Sequence, residues 1–378
     1  MPPPPPPLPA ELLEEIFLRL PPNDPACLVR ASLSSKLWLG LLSGPRFRGR
    51  YREHHGAPPV LGFFYSWDTY SSDLVEEIPD PLFISTKFPA CIPHDDDEGW
   101  EYSGFDPWDC RHGRVVLGDR VASHTKIVVL DPMIGCWWEM RAPEDYLSNG
   151  AAVLCDSAGC DHRLCHEGPF RVVLVGMDLG NGDSVAYAHE YLQVTGESLI
   201  AEWSKPSSGL HLGFDALIQQ MPPVLMQYAL YFMFVYDGDN DRVGILKYDL
   251  CSKCLSVIDA PLAETYIAYS TILIGMEDGN LGFAHLDGLT INLWSRQMGS
   301  NGVQLWTKCR VIDLEEFLLP IQNLWNLSLL GSVEGRDIIL VSTDLGIYEI
   351  SLKSLEWKKI WKRDNFRALV PYMTFYDQ

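Results

Sequence analysis

Two hydrophobic rhythms divide the chain. In its first fifty residues the apolar positions come in helical groups: Leu12, Leu13, Ile16, Phe17 and Leu20, then Leu28 and Val29, then Leu37, Trp38, Leu41 and Leu42. Spacings of three and four are those of helices with one buried face. Pro9 enters the first turn, Glu11, Glu14 and Glu15 lie near the positive end of that helix dipole, and Arg19 lies near its negative end. Pro21 and Pro22 stop the first helix, Asp24 and Pro25 supply an N-cap and first position for the second, and Gly44 with Pro45 ends the third. The pattern predicts a three-helix module over residues 8–56, behind a proline-rich tail of residues 1–7. Arg46, Arg48, Arg50 and Arg52 follow at alternate positions and fit a solvated strand or coil, or an anion site.

From about Val60 the rhythm changes to short runs of Val, Ile, Leu, Tyr and Phe separated by turn pairs such as Asn181-Gly182, Asp237-Gly238, Asp278-Gly279 and Asp287-Gly288. Residues 57–378 therefore read as an all-β domain. The longest apolar run, Val224 to Tyr236, is broken only by Gln227 and reads as one buried strand; it is too short to span a bilayer, which needs about 20 residues. A local shape recurs: an apolar strand, a polar turn, then a strand bearing a large residue at Trp138, Trp203, Val257, Trp306 and Trp357. These positions are 65, 54, 49 and 51 residues apart. A period near 50 is that of kelch-like propeller blades, four-stranded sheets that bury their faces only against neighbours. The length predicts six blades, with Leu369 to Tyr376 completing the first beside strands near Leu61–Tyr65 and Phe83–Thr86. A pair of β-sandwiches is the other all-β architecture, but it gives no reason for the interval.

Composition adds charge to this picture. Twenty-nine Lys and Arg face 50 Asp and Glu, a net charge of −21, yet residues 1–56 are net +2, so the β region carries −23. Such a surface repels nucleic acid and anionic membranes. The N-terminus lacks the basic and apolar regions of a secretory signal, so the chain is expected in the cytoplasm and/or nucleus, with its ten cysteines reduced.

Candidate chemistry is sparse. Cys155, Cys160, His162, Cys165 and His166 fall within twelve residues and could hold zinc, or could simply belong to a long loop between strands. Cys251 and Cys254 form a lone CxxC at a turn. Asp237, Asp239 and Asp241 imitate the start of a calcium loop, but Arg242 and Tyr248 stand where Gly and Glu are required. His94 to Glu98 is an acidic run. No phosphate-binding glycine loop, nucleophile elbow or zinc-protease motif occurs, so no cofactor and no catalytic residue are assigned.

Three helices in about 40 residues cannot bury all their apolar side chains among themselves; they must dock on the rest of the chain or on a partner. The order Leu8-Pro9, Glu11-Leu12-Leu13, Ile16-Phe17, Arg19-Leu20-Pro21, Asp24, Leu28, Arg30-Ala31-Ser32, Lys36, Trp38, Leu41-Leu42-Ser43, Pro45 and Phe47 resembles the F-box family. Ser35 and Gly44 depart from residues common there. The resemblance implies docking to the Skp adaptor of cullin- and RING-based ubiquitin ligases through Leu8, Pro9, Leu12, Ile16, Leu20 and Leu28, with Leu13, Phe17 and Trp38 inside the module. Asp109-Cys110-Arg111-His112-Gly113-Arg114-Val115, the segment Cys160 to Val172 and the terminal Pro371 to Tyr376 are similar to grass F-box proteins with an associated propeller-like region. That likeness implies a non-catalytic subunit that binds an unidentified target protein. The alternative expectation is a propeller hydrolase or oxidase with its site in the central channel.

Overall fold

The computed structural model describes residues 8–56, 58–67, 83–85, 105–119, 125–132, 135–156, 168–180, 182–193, 202–236, 242–261, 270–276, 278–299, 302–316, 321, 323, 326–362 and 366–374. The proline tail, most of the Cys/His cluster, the acidic run His94–Glu98, the triad Asp237, Asp239 and Asp241, and Phe375-Tyr376 lie outside them.

The N-terminal module has four helices, not three: α1 (Ala10–Leu18), α2 (Pro25–Ser34), α3 (Lys36–Leu42) and α4 (Pro45–His55). The arginine run expected as strand or coil forms α4. Phe47 and Tyr51, four residues apart, meet Leu13, Phe17, Leu18 and Leu42 in the module's core, and two such anchors suffice to seat an otherwise polar helix. Arg50 reaches Glu14 at 2.8 Å and Glu15 at 2.6 Å on α1. The Tyr51 hydroxyl donates to the Leu20 carbonyl at 2.8 Å, and His55 Nε2 to that of Leu18 at 2.8 Å. Asp24 stands at the N-cap of α2 with its carboxylate accepting the Cys27 thiol, while the Ser35 hydroxyl accepts the Trp38 N–H and caps α3. The link between α1 and α4 is electrostatic and partly exposed, so Arg50→Ala should lower the melting temperature of the module in dilute buffer, and the difference should shrink in about 1 M salt. Scanning calorimetry at two salt concentrations checks this.

The β region is a ring of six sheets. The first combines β1 (Val60–Trp67), β2 (Phe83–Ser85) and the C-terminal β24 (Phe366–Met373), with Val60 opposite Met373, so the last strand closes the ring on the first. The second holds β3 (Phe105–Arg111), β4 (Arg114–Asp119), β5 (Lys126–Asp131) and β6 (Cys136–Arg141). The third holds β7 (Ser148–Cys155), β8 (Phe170–Leu179), β9 (Ser184–Leu192) and β10 (Leu210–His211). In the fourth, β11 (Ala216–Ile218) and β12 (Val224–Met226) share the inner position beside β13 (Ala229–Tyr236), β14 (Val243–Asp249) and β15 (Cys254–Asp259). The fifth is β16 (Thr271–Gly275), β17 (Leu281–Asp287), β18 (Thr290–Met298) and β19 (Gln304–Asp313). The sixth is β20 (Ser328–Val333), β21 (Ile338–Thr343), β22 (Gly346–Ser351) and β23 (Trp357–Trp361).

Each of the six junctions between neighbouring blades encloses its own apolar cluster. Successive residues of a strand serve opposite junctions: Phe63 and Tyr65 pack toward the sixth blade, Phe64 toward the second. Both faces of the inner strands are therefore buried, which is why they read as continuous apolar runs.

The apolar run from Val224 is a hairpin and not the single strand expected. Gln227 and Tyr228 both adopt positive φ (48° and 61°), the geometry of a tight type I′ turn without the usual Asn or Gly, and β12 folds back on β13.

The repeating large residues mark the outermost part of blades two to six. Trp203 donates its indole N–H to the carbonyl of Arg141 at 2.6 Å, and Trp306 does the same to Asp259 at 2.8 Å; each acceptor lies at the end of the preceding blade's outer strand. The indole clips one blade to the next. Trp203→Phe and Trp306→Phe, which keep the ring but lose the donor, should each cost about 0.5–1 kcal/mol by denaturant titration, additively since the sites share no partner.

Candidate partner-binding site

On α1 the apolar residues split between two faces. Leu13 and Phe17 point inward, with Phe17 edge-on to Trp38 at 5.1 Å, and Leu18 joins them in the core. Leu12 and Ile16, one turn apart, stay 52% and 47% exposed, and Leu8, one turn earlier in sequence and just before the helix, is 53% exposed. Pro9, at the N-cap position with φ −53°, is exposed as well. Leu20, after α1, and Leu28, on α2, are half-buried and lean on the module's own core. Of the six expected anchors, Leu8, Leu12 and Ile16 thus make a solvent-facing stripe, Pro9 sets its start, and Leu20 and Leu28 sit at the edge of the interior.

Two carboxylates of α1, Glu14 and Glu15, are engaged by Arg50. The hydrogen bond from Arg50 holds the Glu15 carboxyl below its usual range, and Glu15 and Glu14 in turn hold the Arg50 guanidinium charged. Burial lowers His55 and raises Tyr51. The stripe itself is apolar surface, and covering it would contribute roughly 1.5–3 kcal/mol per large side chain. Leu33 (α2), Leu37 and Leu39 (α3) are also exposed. The sequence pattern had put Leu37 on the inner face; α3 turns Leu42 and part of Trp38 inward instead.

The other sites expected from the sequence come out differently. Among the described residues no group of three or more His, Cys, Asp and Glu is placed to hold a metal. Cys155 is half-buried at the end of β7, and Cys160, His162, Cys165 and His166 fall outside the described residues. Cys251 and Cys254 are exposed around the β14–β15 turn, where Asp249 accepts the N–H groups of Cys251 and Ser252.

A cluster of charges joins several blades at the end of β3. Arg111, at the end of inner strand β3, extends across the ring. Its guanidinium pairs with Asp109, lies 2.9 Å from Glu334 in the turn after β20, and donates to the carbonyl of Pro223 before β12 at 2.6 Å. Asp109 also accepts the N–H of Val153 on β7 at 2.9 Å. Burial pushes the Asp109 carboxyl up to about 6 against the opposing pull of Arg111. One side chain thereby joins blades two, three, four and six, with both carboxylates engaged.

Residues 7–49 match the family model for the F-box domain. None of the curated proteins matches the chain. Among solved structures, the chain is similar to an Aleuria aurantia lectin mutant in complex with Fucalpha1-6GlcNAc, at 14% identity over 71% of this chain and 79% of that one, TM-score 0.39. It is also similar to a puromycin-hydrolyzing peptidase of Mycobacterium tuberculosis, at 13% identity over 68% and 46% of the two chains, TM-score 0.29. A third is the Listeria monocytogenes EGD-e protein lmo1340, at 10% over 72% and 87%, TM-score 0.32. Among the described residues no helix is long and apolar enough to cross a membrane. With its four helices, its filled inner face and its matched motif, the N-terminal segment is an F-box domain, carried ahead of a six-bladed β-propeller.

Proposed function

We propose that the chain is the substrate-recognition subunit of a Skp–cullin–F-box ubiquitin ligase. The observation that carries this reading is the stripe Leu8, Leu12 and Ile16, left exposed on an F-box domain whose interior is already filled. The Skp adaptor covers the stripe together with Pro9, Leu20 and Leu28, and through the adaptor the chain joins the cullin and RING subunits in the cytoplasm and/or nucleus. The propeller holds a target protein. The contribution to ubiquitin transfer is proximity: tethering raises the effective concentration of target lysines at an active site on another protein, so the chain needs no catalytic group of its own.

Purified full-length chain should retain the Skp adaptor on an affinity column and assemble with cullin and RING subunits, and a chain lacking residues 8–56 should retain none. Equal retention by both chains would overturn the proposal.

A further inference from the structure

One arginine of the ring is drawn partly out of water without a partner. Among the described residues the ring's other half-buried arginines are all engaged: Arg171 lies 3.4 Å from Asp156 and 3.6 Å from Glu190, Arg367 pairs with Asp106 at 3.1 Å, and Arg336 and Arg310 donate to the carbonyls of Pro58 and Leu352. Arg296, on β18, is half-buried as well but makes neither a hydrogen bond nor an ion pair. The titratable group beside it is the Tyr231 phenol of the fourth blade, and burial lowers the guanidinium. Partial desolvation of a charge is a cost, and here no group of the chain offsets it.

The surroundings fit an anion held against apolar surface. Strands β18 and β19 place Trp294 opposite Lys308, Arg296 opposite Trp306 and Met298 opposite Gln304. Alternation along the strands puts these six side chains on one face, the face where Trp294 and Trp306 pack toward the fourth blade. Lys308 stands over the Trp294 ring at 5.4 Å and, like Arg296, has no ion pair. Arg296 and Lys308 are diagonal neighbours across the two strands, about 7–8 Å apart at the backbone, so both long side chains can reach one small group. Trp306 is fixed by its bond to the Asp259 carbonyl, and Met298, two residues beyond Arg296 on the same face, is 65% exposed.

The field of the whole ring limits what can bind. It carries −23, so a heavily anionic segment is repelled at long range, whereas a single carboxylate gains at contact from the two cations.

We propose that Arg296 and Lys308 receive a lone aspartate or glutamate side chain of the target protein, with an apolar neighbour of that residue lying on Met298 beside Trp306. The guanidinium supplies two parallel N–H groups to the carboxylate and the lysine a third donor. The proposal rests on the substrate-receptor reading for the partner being a target, and on the β18–β19 face for its chemistry.

The test is fluorescence anisotropy with the full-length chain and labelled peptides blocked at both ends: Gly-Thr-Leu-Glu-Phe-Thr-Gly, the same sequence with Gln for Glu, and the same with phosphoserine for Glu. The Glu peptide should bind at least about tenfold more tightly than the Gln peptide. The phosphoserine peptide should bind no more tightly than the Glu peptide, because the ring opposes its second charge. Arg296→Met, which keeps apolar bulk, should bring the Glu peptide down to the level of the Gln peptide, and Lys308→Met should cost a smaller loss. Since Arg296 makes no bond within the chain, Arg296→Met should melt at the parent's temperature or above it; a fall of several degrees would mark the residue as structural and overturn the proposal. It is equally overturned by no binding of the Glu peptide, by equal binding of the Glu and Gln peptides, by tighter binding of the phosphoserine peptide, or by insensitivity to Arg296→Met. Adaptor retention is measured on the same parent chain. If the adaptor is lost while the Glu peptide still binds through Arg296, the ligase reading fails and the site stands; if the adaptor is retained and the peptide is not bound, the site fails and the ligase reading stands.

Discussion

Leu12→Asp combined with Ile16→Asp should abolish capture of the Skp adaptor while leaving the protein folded. Both side chains are about half exposed in the free chain, so the charges stay hydrated there and the melting temperature should move little. In the complex the same two carboxylates would be enclosed in an apolar contact without partners, at a cost of several kcal/mol, about 3 or more at the order-of-magnitude level. That corresponds to a loss of more than about a hundredfold in affinity. Titration calorimetry with purified adaptor checks it, with circular dichroism as the folding control. Leu13→Asp is the contrasting variant: Leu13 is buried in the F-box core, so it should unfold the domain and lose capture for a different reason. Capture retained by the Leu12/Ile16 variant would remove these residues from the interface.

The second large effect concerns the ring. Arg111→Met keeps much of the side-chain volume but removes the guanidinium, leaving Asp109 buried with the Val153 N–H and no cation. Breaking a buried pair from one side costs about 3–5 kcal/mol, and Asp109→Asn added to the same chain should recover part of it, since the amide oxygen can still accept from Val153. The loss should depend on pH. Burial already raises the Asp109 carboxyl to about 6, and without Arg111 it rises further. A carboxyl whose value is higher in the folded than in the unfolded chain binds more protons when folded, so stability falls as pH climbs through that window. The gap between parent and variant should therefore widen from about pH 5 to about pH 8, measured by urea denaturation. A gap that is flat across this range would mean that Asp109 is not the group left uncompensated.

The same clasp bears on the alternative of a channel enzyme. Asp109 and Glu334 are both held by Arg111, an arrangement that fixes blades to one another.

Several features were legible in the residue order because they follow from local chemistry. The helical spacing and the proline and glycine stops located α1, α2 and α3 closely. The recurring tryptophans announced the blades because each blade must present a large residue near its outer strand to meet the next, as Trp203 and Trp306 do. The C-terminal apolar run could be assigned to ring closure because an unpaired edge is costly and the first blade lacked an inner strand.

Other features depended on what lies nearby in space. The run Pro45–His55 has too few apolar residues to declare a helix, and α4 exists because Phe47, Tyr51 and Arg50 find partners on α1. Periodicity named Leu12, Leu13, Ile16 and Phe17 along α1 without saying which face is buried; α3 and α4 cover Leu13, Phe17 and Leu18 and thereby leave Leu12 and Ile16 exposed. The turn at Gln227 and Tyr228 carries no turn residue, so pairing between β12 and β13 had to impose it. Arg111 and Asp109 were ordinary charged residues in a strand until the ring brought Pro223, Val153 and Glu334 to them from three other blades. The residue order by itself determined the helical head, the blade period and the closing strand, since each arises from neighbours along the chain; which surfaces stay open and which charges meet was decided only by closure of the ring and packing of the head, because those contacts join residues far apart in sequence.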